Sequence, residues 1–424
     1  MDKRLQLIID AAHAKFGLNA YELEKHGVYR RRDTMGEAFY VFEMTWYPQE
    51  VTELVEDGTI PLGTAFISYS IPENKFIGLS FAGEISFATE KQFPNRTIKE
   101  VTDWLEQETG LVYGKDIKLT DAYSSGFDFE IELDGIQLSP SSSFEVRFDD
   151  AGKLTNFPWD GVKPPKESVD KSAFTLTLED IEPLVKQQLQ LVELPSDTKE
   201  CFVPVYAMDE VYVAVDGARV IPFVWAERSE IEVGKRLEWD EPLEQELHRI
   251  EFPYDVYEAT VEEAFGELGT AGKLTLTAEE ISKTTAIVCD VMRSELPDES
   301  GQWTLKSMKR EEDLIIAFCE KNEESLSIVK RKAVVQIDPG TMVAVNFFDN
   351  EGMLGLGGLF ESFASAEQAV VTHDEAFEKM VPYITLDPTY VYDEITGKYI
   401  LCGLLDAAEA VDAVTGEIIS LSDL

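Results

Sequence analysis

Residues 144–157 read FEVRFDDAGKLTNF, and this stretch decides the fold. Phe144, Val146 and Phe148 alternate with Glu145 and Arg147, the two-residue period of a strand with one buried face. Asp149, Asp150, Ala151 and Gly152 carry turn chemistry, because glycine tolerates positive φ and aspartate side chains accept from nearby backbone amides. Leu154 and Phe157 then start a return strand, so the stretch is a β-hairpin. The same unit recurs as VYVAVDGARVI (211–221), AVVQIDPGTMVAV (333–345) and AEAVDAVTGEII (408–419). Repeated hairpins with helices between them predict an α+β fold, helices packed on antiparallel β-sheets.

The helices announce themselves by their starts. Thr97 with Glu100 fits a capping box, in which the threonine hydroxyl accepts the amide of the third helical residue and the glutamate reaches back. Thr277 with Glu280 and Thr372 with Glu375 repeat it. Thr177 with Asp180 is imperfect: Pro183 would lie too deep, so that helix is expected to start nearer Asp180 or Glu182. Near the N-terminus Leu5, Ile8, Ile9, Ala12 and Phe16 share one helical face, and strand-like runs follow at 38–46, 64–70 and 76–81. Laid on each other, residues after Thr97 and after Thr277 give the same order: helix, strand, hairpin, second helix, Val-Tyr pair, Val-Asp hairpin. The second helices carry Ile181, Leu184, Val185, Leu189 and Val192 in one case, and Phe377, Met380, Val381 and Ile384 in the other. Such a long period predicts duplicated domains. The expected boundaries are a degenerate helix-plus-hairpin module at 1–92, a first repeat half at 93–228, an acidic linker at 229–272 and a second half at 273–424.

Charge narrows the partners. With 81 acidic against 37 basic residues the formal net charge is −44, which repels nucleic acid and anionic membrane. A basic partner, bound cations, or simply a solubilising surface all fit such a charge. No run approaches the roughly 18 apolar residues of a membrane span. Asp10 and His13 break the N-terminal apolar stretch, so no signal peptide is expected and a cytoplasmic location follows as given. Cys201, Cys289, Cys319 and Cys402 form no CxxC pair and read as reduced, mostly buried thiols.

The segment LDGIQLSPSSSFEVRFDDAGKLTNFPWD (133–160) resembles the "NGIP…V.vd..GkItsy…W" segment of YcdB/YcdC-repeat proteins of Gram-positive bacteria, a distant branch of the PepSY-like modules. VDAVTGEII (411–419) matches that family's DAxTG hairpin. The resemblance implies duplicated PepSY-like modules, each a helix on an antiparallel sheet. It also implies a non-catalytic role, linked to peptidase inhibition or propeptide function, and commonly an exported protein. This chain departs by carrying Asp134 where the family usually has asparagine, and by lacking an export signal.

Catalytic motifs are absent from the sequence. His13, His26, His248 and His373 are far apart, with no HExxH and no cysteine at ligand spacing, so no metal is expected. No GxSxG elbow occurs, and Cys289 sits in an apolar helical run. Gly352, Gly355, Gly357 and Gly358 follow a strand, but the phosphate-loop lysine is missing and Phe360 stands where the last glycine of GxGxxG would fall. No catalytic or cofactor-binding residue is therefore assigned. What stands out is apolar clustering in that same glycine-rich loop: Met353, Leu354, Leu356, Leu359, Phe360 and Phe363. These residues are expected to cover their own half or to dock a partner. Two functions follow: an interaction protein binding a protein or peptide partner or a second copy, or a hydrolase using carboxylates between the repeat halves.

Overall fold

A computed structural model describes the chain apart from residues 1, 33–37, 52, 56–58, 90–92, 141–142, 159–163, 165–167, 171, 218, 224–229, 245–257, 267–273, 312–313, 324, 355–359, 361 and 394–395. Contacts divide it into two units. The first is Met1–Lys171 with Tyr254–Lys273 and Thr389–Ile400; the second is Ser172–Pro253 with Leu274–Pro388 and Leu401–Leu424.

In the first unit the helix Lys3–Phe16 precedes β1 (Tyr21–Arg32), β2 (Ala38–Pro48), β3 (Ala65–Ser70) and β4 (Lys75–Phe81). The helix Ile98–Thr109 precedes β5 (Ile117–Tyr123), β6 (Gly126–Leu133), β7 (Ile136–Ser139), β8 (Ser143–Phe148) and β9 (Leu154–Pro158). These strands form one sheet in the order β1-β2-β3-β4-β9-β8-β6-β7, with β5 also on β6. Because β4 pairs with β9, residues on both sides of position 92 share that sheet. Residues 389–391, from far along the chain, run parallel to β7, and the Ala259 amide donates to the Val28 carbonyl.

The hairpin read from the sequence is β8–β9, and it carries the core. Phe129 stacks on Phe144 at 5.4 Å, while Trp104 from the helix meets the ring of Phe157 edge-on at 4.8 Å. Trp104 also meets Phe93 at 5.4 Å. Each such pair contributes about 0.5–1.5 kcal/mol beyond area burial.

In the second unit the helix Glu182–Gln188 runs into β10 (Leu189–Ser196), followed by β11 (Cys201–Met208), β12 (Val211–Ala214), β13 (Val220–Pro222) and β14 (Ile231–Leu237). The helix Ala278–Glu295 leads to β15 (Trp303–Arg310), β16 (Ile315–Lys321), β17 (Lys332–Asp338) and β18 (Val343–Asp349). After the helix His373–Met380 come β19 (Thr385–Asp393) and β20 (Lys398–Asp406), of which residues 389–393 and 398–400 belong to the first unit, then β21 (Glu409–Asp412) and β22 (Ile418–Ser420). β14 to β18 form a five-stranded antiparallel sheet in chain order, and β10-β11-β21-β22 a four-stranded one. β12 pairs with β13 and with residues 402–405 of β20. The helix Ala278–Glu295 buries Val288, Val291 and Met292 with Trp303, Leu305, Ala317 and Val335 of the five-stranded sheet. The chain is thus α+β, with few helices and large antiparallel sheets.

Three expected capping boxes are formed, at Thr97, Thr277 and Thr372, each with its glutamate bonded back to the cap amide. Each is worth about 0.5–2 kcal/mol. A fourth, Thr260 with Glu263, starts the short helix Val261–Phe265. Thr177 and Asp180 exchange the expected bonds, yet the α-helix itself begins at Glu182, with Pro183 in its first turn where its missing amide costs nothing. That helix ends at Gln188, so Leu189 and Val192, read as helical, lie on β10 instead. The four hairpin turns fall between β8 and β9, β12 and β13, β17 and β18, and β21 and β22.

Candidate functional site

β11 is paired with β10 along its whole length, but β21 reaches only Val205 and Tyr206. The start of β11 is completed by the end of the glycine-rich segment. The Phe202 amide donates to the Ala364 carbonyl at 3.0 Å, and the Ala364 amide donates to the Glu200 carbonyl at 2.9 Å. This short parallel bridge sets three rings together: Phe360 lies 5.7 Å and Phe363 5.9 Å from Phe202, and 5.1 Å from each other. All three rings remain half-buried. Of the residues singled out in the sequence, Phe360 and Phe363 therefore meet, with Phe202 as the partner that sequence reading missed. Met353 and Leu354 lie on the helical turn Glu351–Leu354, and Leu356 and Leu359 lie outside the described residues.

A second feature is a carboxylate pair. The β12–β20 register sets Val211 opposite Leu405, which brings Glu210 and Asp406 side by side in the lining of an open pocket of about 530 Å³. Met208, Asp209, Phe223, Ala407 and Leu421 also line it. Burial, then the charge of Asp406 and a hydrogen bond to it, then the charge of Asp209, push Glu210 up to about 7. Nothing local in the sequence announces the pair, because pairing of strands distant in sequence creates it.

The linkage has a definite sign. A carboxyl whose folded value lies above its unfolded 4.5 stabilises the fold fully below 4.5, and the contribution is lost as pH rises through about 7. The effect is about 1 kcal/mol once solvent screening of a partly exposed group is discounted. Denaturation of the wild type and of Glu210→Gln at pH 5 and pH 8 (about 25 °C) should show a fall between the two for the wild type that the variant lacks. Equal falls would assign the trend to the remaining charge of the chain.

The four cysteines are thiols rather than disulfides, and burial pushes Cys319 up to about 12, which makes it unreactive. Among the described residues no group of three or more His, Cys, Asp or Glu side chains is placed to hold a metal ion. Among the same residues no helix is long and apolar enough to cross a membrane.

No family model matches the chain, and no curated protein matches it. Among solved structures it is similar to the Bacillus megaterium YpeB C-terminal domain, at 9% identity and a TM-score of 0.27. That match covers 53% of this chain and 98% of the other. At that score it carries no functional argument, and the α+β description rests on the sheets themselves.

Proposed function

We propose that the chain is a non-catalytic interaction protein of PepSY-like repeats that binds a protein or peptide partner. Regulation of a peptidase is the role its YcdB/YcdC-like segment implies. The supporting observation is the cluster of Phe202, Phe360 and Phe363, three aromatic rings left half-exposed where the end of the glycine-rich segment bridges the start of β11. Aromatic side chains in such positions act as anchors, burying large area at small entropic cost. Affinity capture from the source organism's lysate, with mass spectrometry, tests it. The wild type should retain specific proteins that the double variant Phe360→Asp with Phe363→Asp loses, the variant keeping the wild-type far-ultraviolet spectrum. Identical capture by the two, or no capture by either, would count against the reading.

A carboxylate-dependent hydrolase is the second reading, and Glu210 beside Asp406 is what favours it. A proton-bearing carboxyl next to another carboxyl is the arrangement acid–base catalysis uses. It expects turnover of a chromogenic ester, phosphoester or glycoside that Glu210→Gln abolishes. No turnover of any of the three would leave the interaction reading alone.

A further inference from the structure

The five-stranded sheet has two edges of opposite character. β14 is guarded: Glu232, Lys235 and Arg236 are exposed along it, and a bulge falls between Glu232 and Lys235, with Gly234 at φ 61°. Charges and bulges are the devices that keep strand edges from pairing with other chains. β18, with sequence VAVNFFD, has no lysine, arginine or proline. Val343 is 54% and Phe348 51% exposed. Among the described residues no strand pairs with its outer side, and the Phe347 amide is taken by the side chain of the adjacent Asn346 at 3.1 Å instead.

Register extends the point onto the outward face. Phe318 of β16 lies opposite Val334 of β17, which lies opposite Phe348 of β18. The three make an apolar row that runs across three strands and stops at the free edge. A further strand would continue the row and cover Phe348. Asp338 stands at one end of the β17–β18 hairpin; at the other, Asp349 and Glu351 are bridged by Arg331, so the draw on a cationic strand comes from the net charge of the chain as a whole.

We propose that the outer edge of β18 accepts an extended peptide of alternating apolar and basic residues as an additional antiparallel or parallel strand. This rests on the interaction reading and gives it a mode and a partner chemistry. Backbone bonding to the edge supplies the affinity of strand addition, and alternate side chains supply the selectivity. The occupant is basic because the chain carries −44, so a second copy is repelled while a cationic peptide is drawn in.

The probe is a fluorescent eight-residue peptide of alternating lysine and valine, titrated at low salt and measured by anisotropy. The expected result is saturable binding, at least about tenfold weaker for the glutamate–valine counterpart. N-methylation of the amides along one edge should weaken binding at least about tenfold, while N-methylation along the other edge leaves it unchanged. Val343→Lys with Phe348→Lys, which installs edge guards, should likewise weaken it at least about tenfold without changing the far-ultraviolet spectrum. Equal binding of the acidic peptide, or equal effects of methylation on both edges, would overturn the proposal. So would a dimer in sedimentation that the lysine variant abolishes, since a second copy would then be the occupant. If no peptide binds while capture through Phe360 and Phe363 persists, the edge inference falls and the interaction reading stands. Failure of both assays would remove both.

Discussion

Replacing Arg331 with alanine is expected to destabilise the second unit by about 3–5 kcal/mol. Its guanidinium is 8% exposed and bridges Glu299, Asp349 and Glu351. Nε and Nη2 reach the two oxygens of Asp349, the fork-to-fork geometry only arginine offers, and the group lies 5.3 Å from the centre of the Trp303 ring. The hydrogen bond to Asp349, opposed by burial, raises the Arg331 pKa further, so the charge is permanent. Glu299 keeps Lys321 and the Trp303 N–H when Arg331 is removed; Asp349, only 14% exposed, keeps the Glu351 amide but loses its cation in a low-dielectric site. The loss is therefore dominated by stranding a buried charge rather than by the worth of the bridge. Urea denaturation followed by tryptophan fluorescence measures it. Arg331→Lys should recover part of the loss, because charge returns without the fork. A loss below about 1 kcal/mol, the range of exposed ion pairs, would mean that Asp349 reaches solvent.

Gly152→Ala is expected to cost the first unit about 2–4 kcal/mol, the sum of left-handed strain and a steric clash. Gly152 sits at φ 78°, and a Cβ there would stand 2.5 Å from the Phe93 carbonyl oxygen. The contact cannot relax cheaply, because the Phe93 amide donates back to the Gly152 carbonyl at 2.7 Å. Gly135→Ala is the control: its φ is 82°, but nothing lies within 4 Å of the added atom, so only the strain of about 1–2 kcal/mol remains. Equal losses at the two positions would show that the segment at Phe93 yields.

The hairpins were legible because alternation and turn chemistry agree locally. β1 and β14 were not. β1 reads YELEKHGVYRRR, with charged residues on both faces, and it becomes a strand through its register with β2. β14 lay in what reads as an acidic linker, because Val233 and Gly234 fall in its bulge and break the two-residue period. The helix ending at Gln188 is shorter than its apolar spacing implies, because Leu189 and Leu191 serve one face of β10 and Val192 the other. Of the aromatic cluster, Phe360 and Phe363 were visible as an apolar excess in a glycine-rich loop. Phe202 was not, since one aromatic in CFVPV is ordinary strand content. Glu210 and Asp406 lay beyond any local pattern among 81 acidic residues.

The first unit is not contiguous in sequence: residues 389–391 run along β7, and Ala259 is tied to Val28. During synthesis, β7 emerges long before the segment that runs beside it. Until then its partner side stays open, and the unit depends on contacts spanning some of the longest separations in the chain, which slow folding and prolong exposure of unpaired edges. Neither unit can be excised by a single cut, and a boundary drawn at one linker would remove strands from one unit or leave strangers in the other. The order in which the ribosome delivers this chain is not the order in which its sheets can be finished.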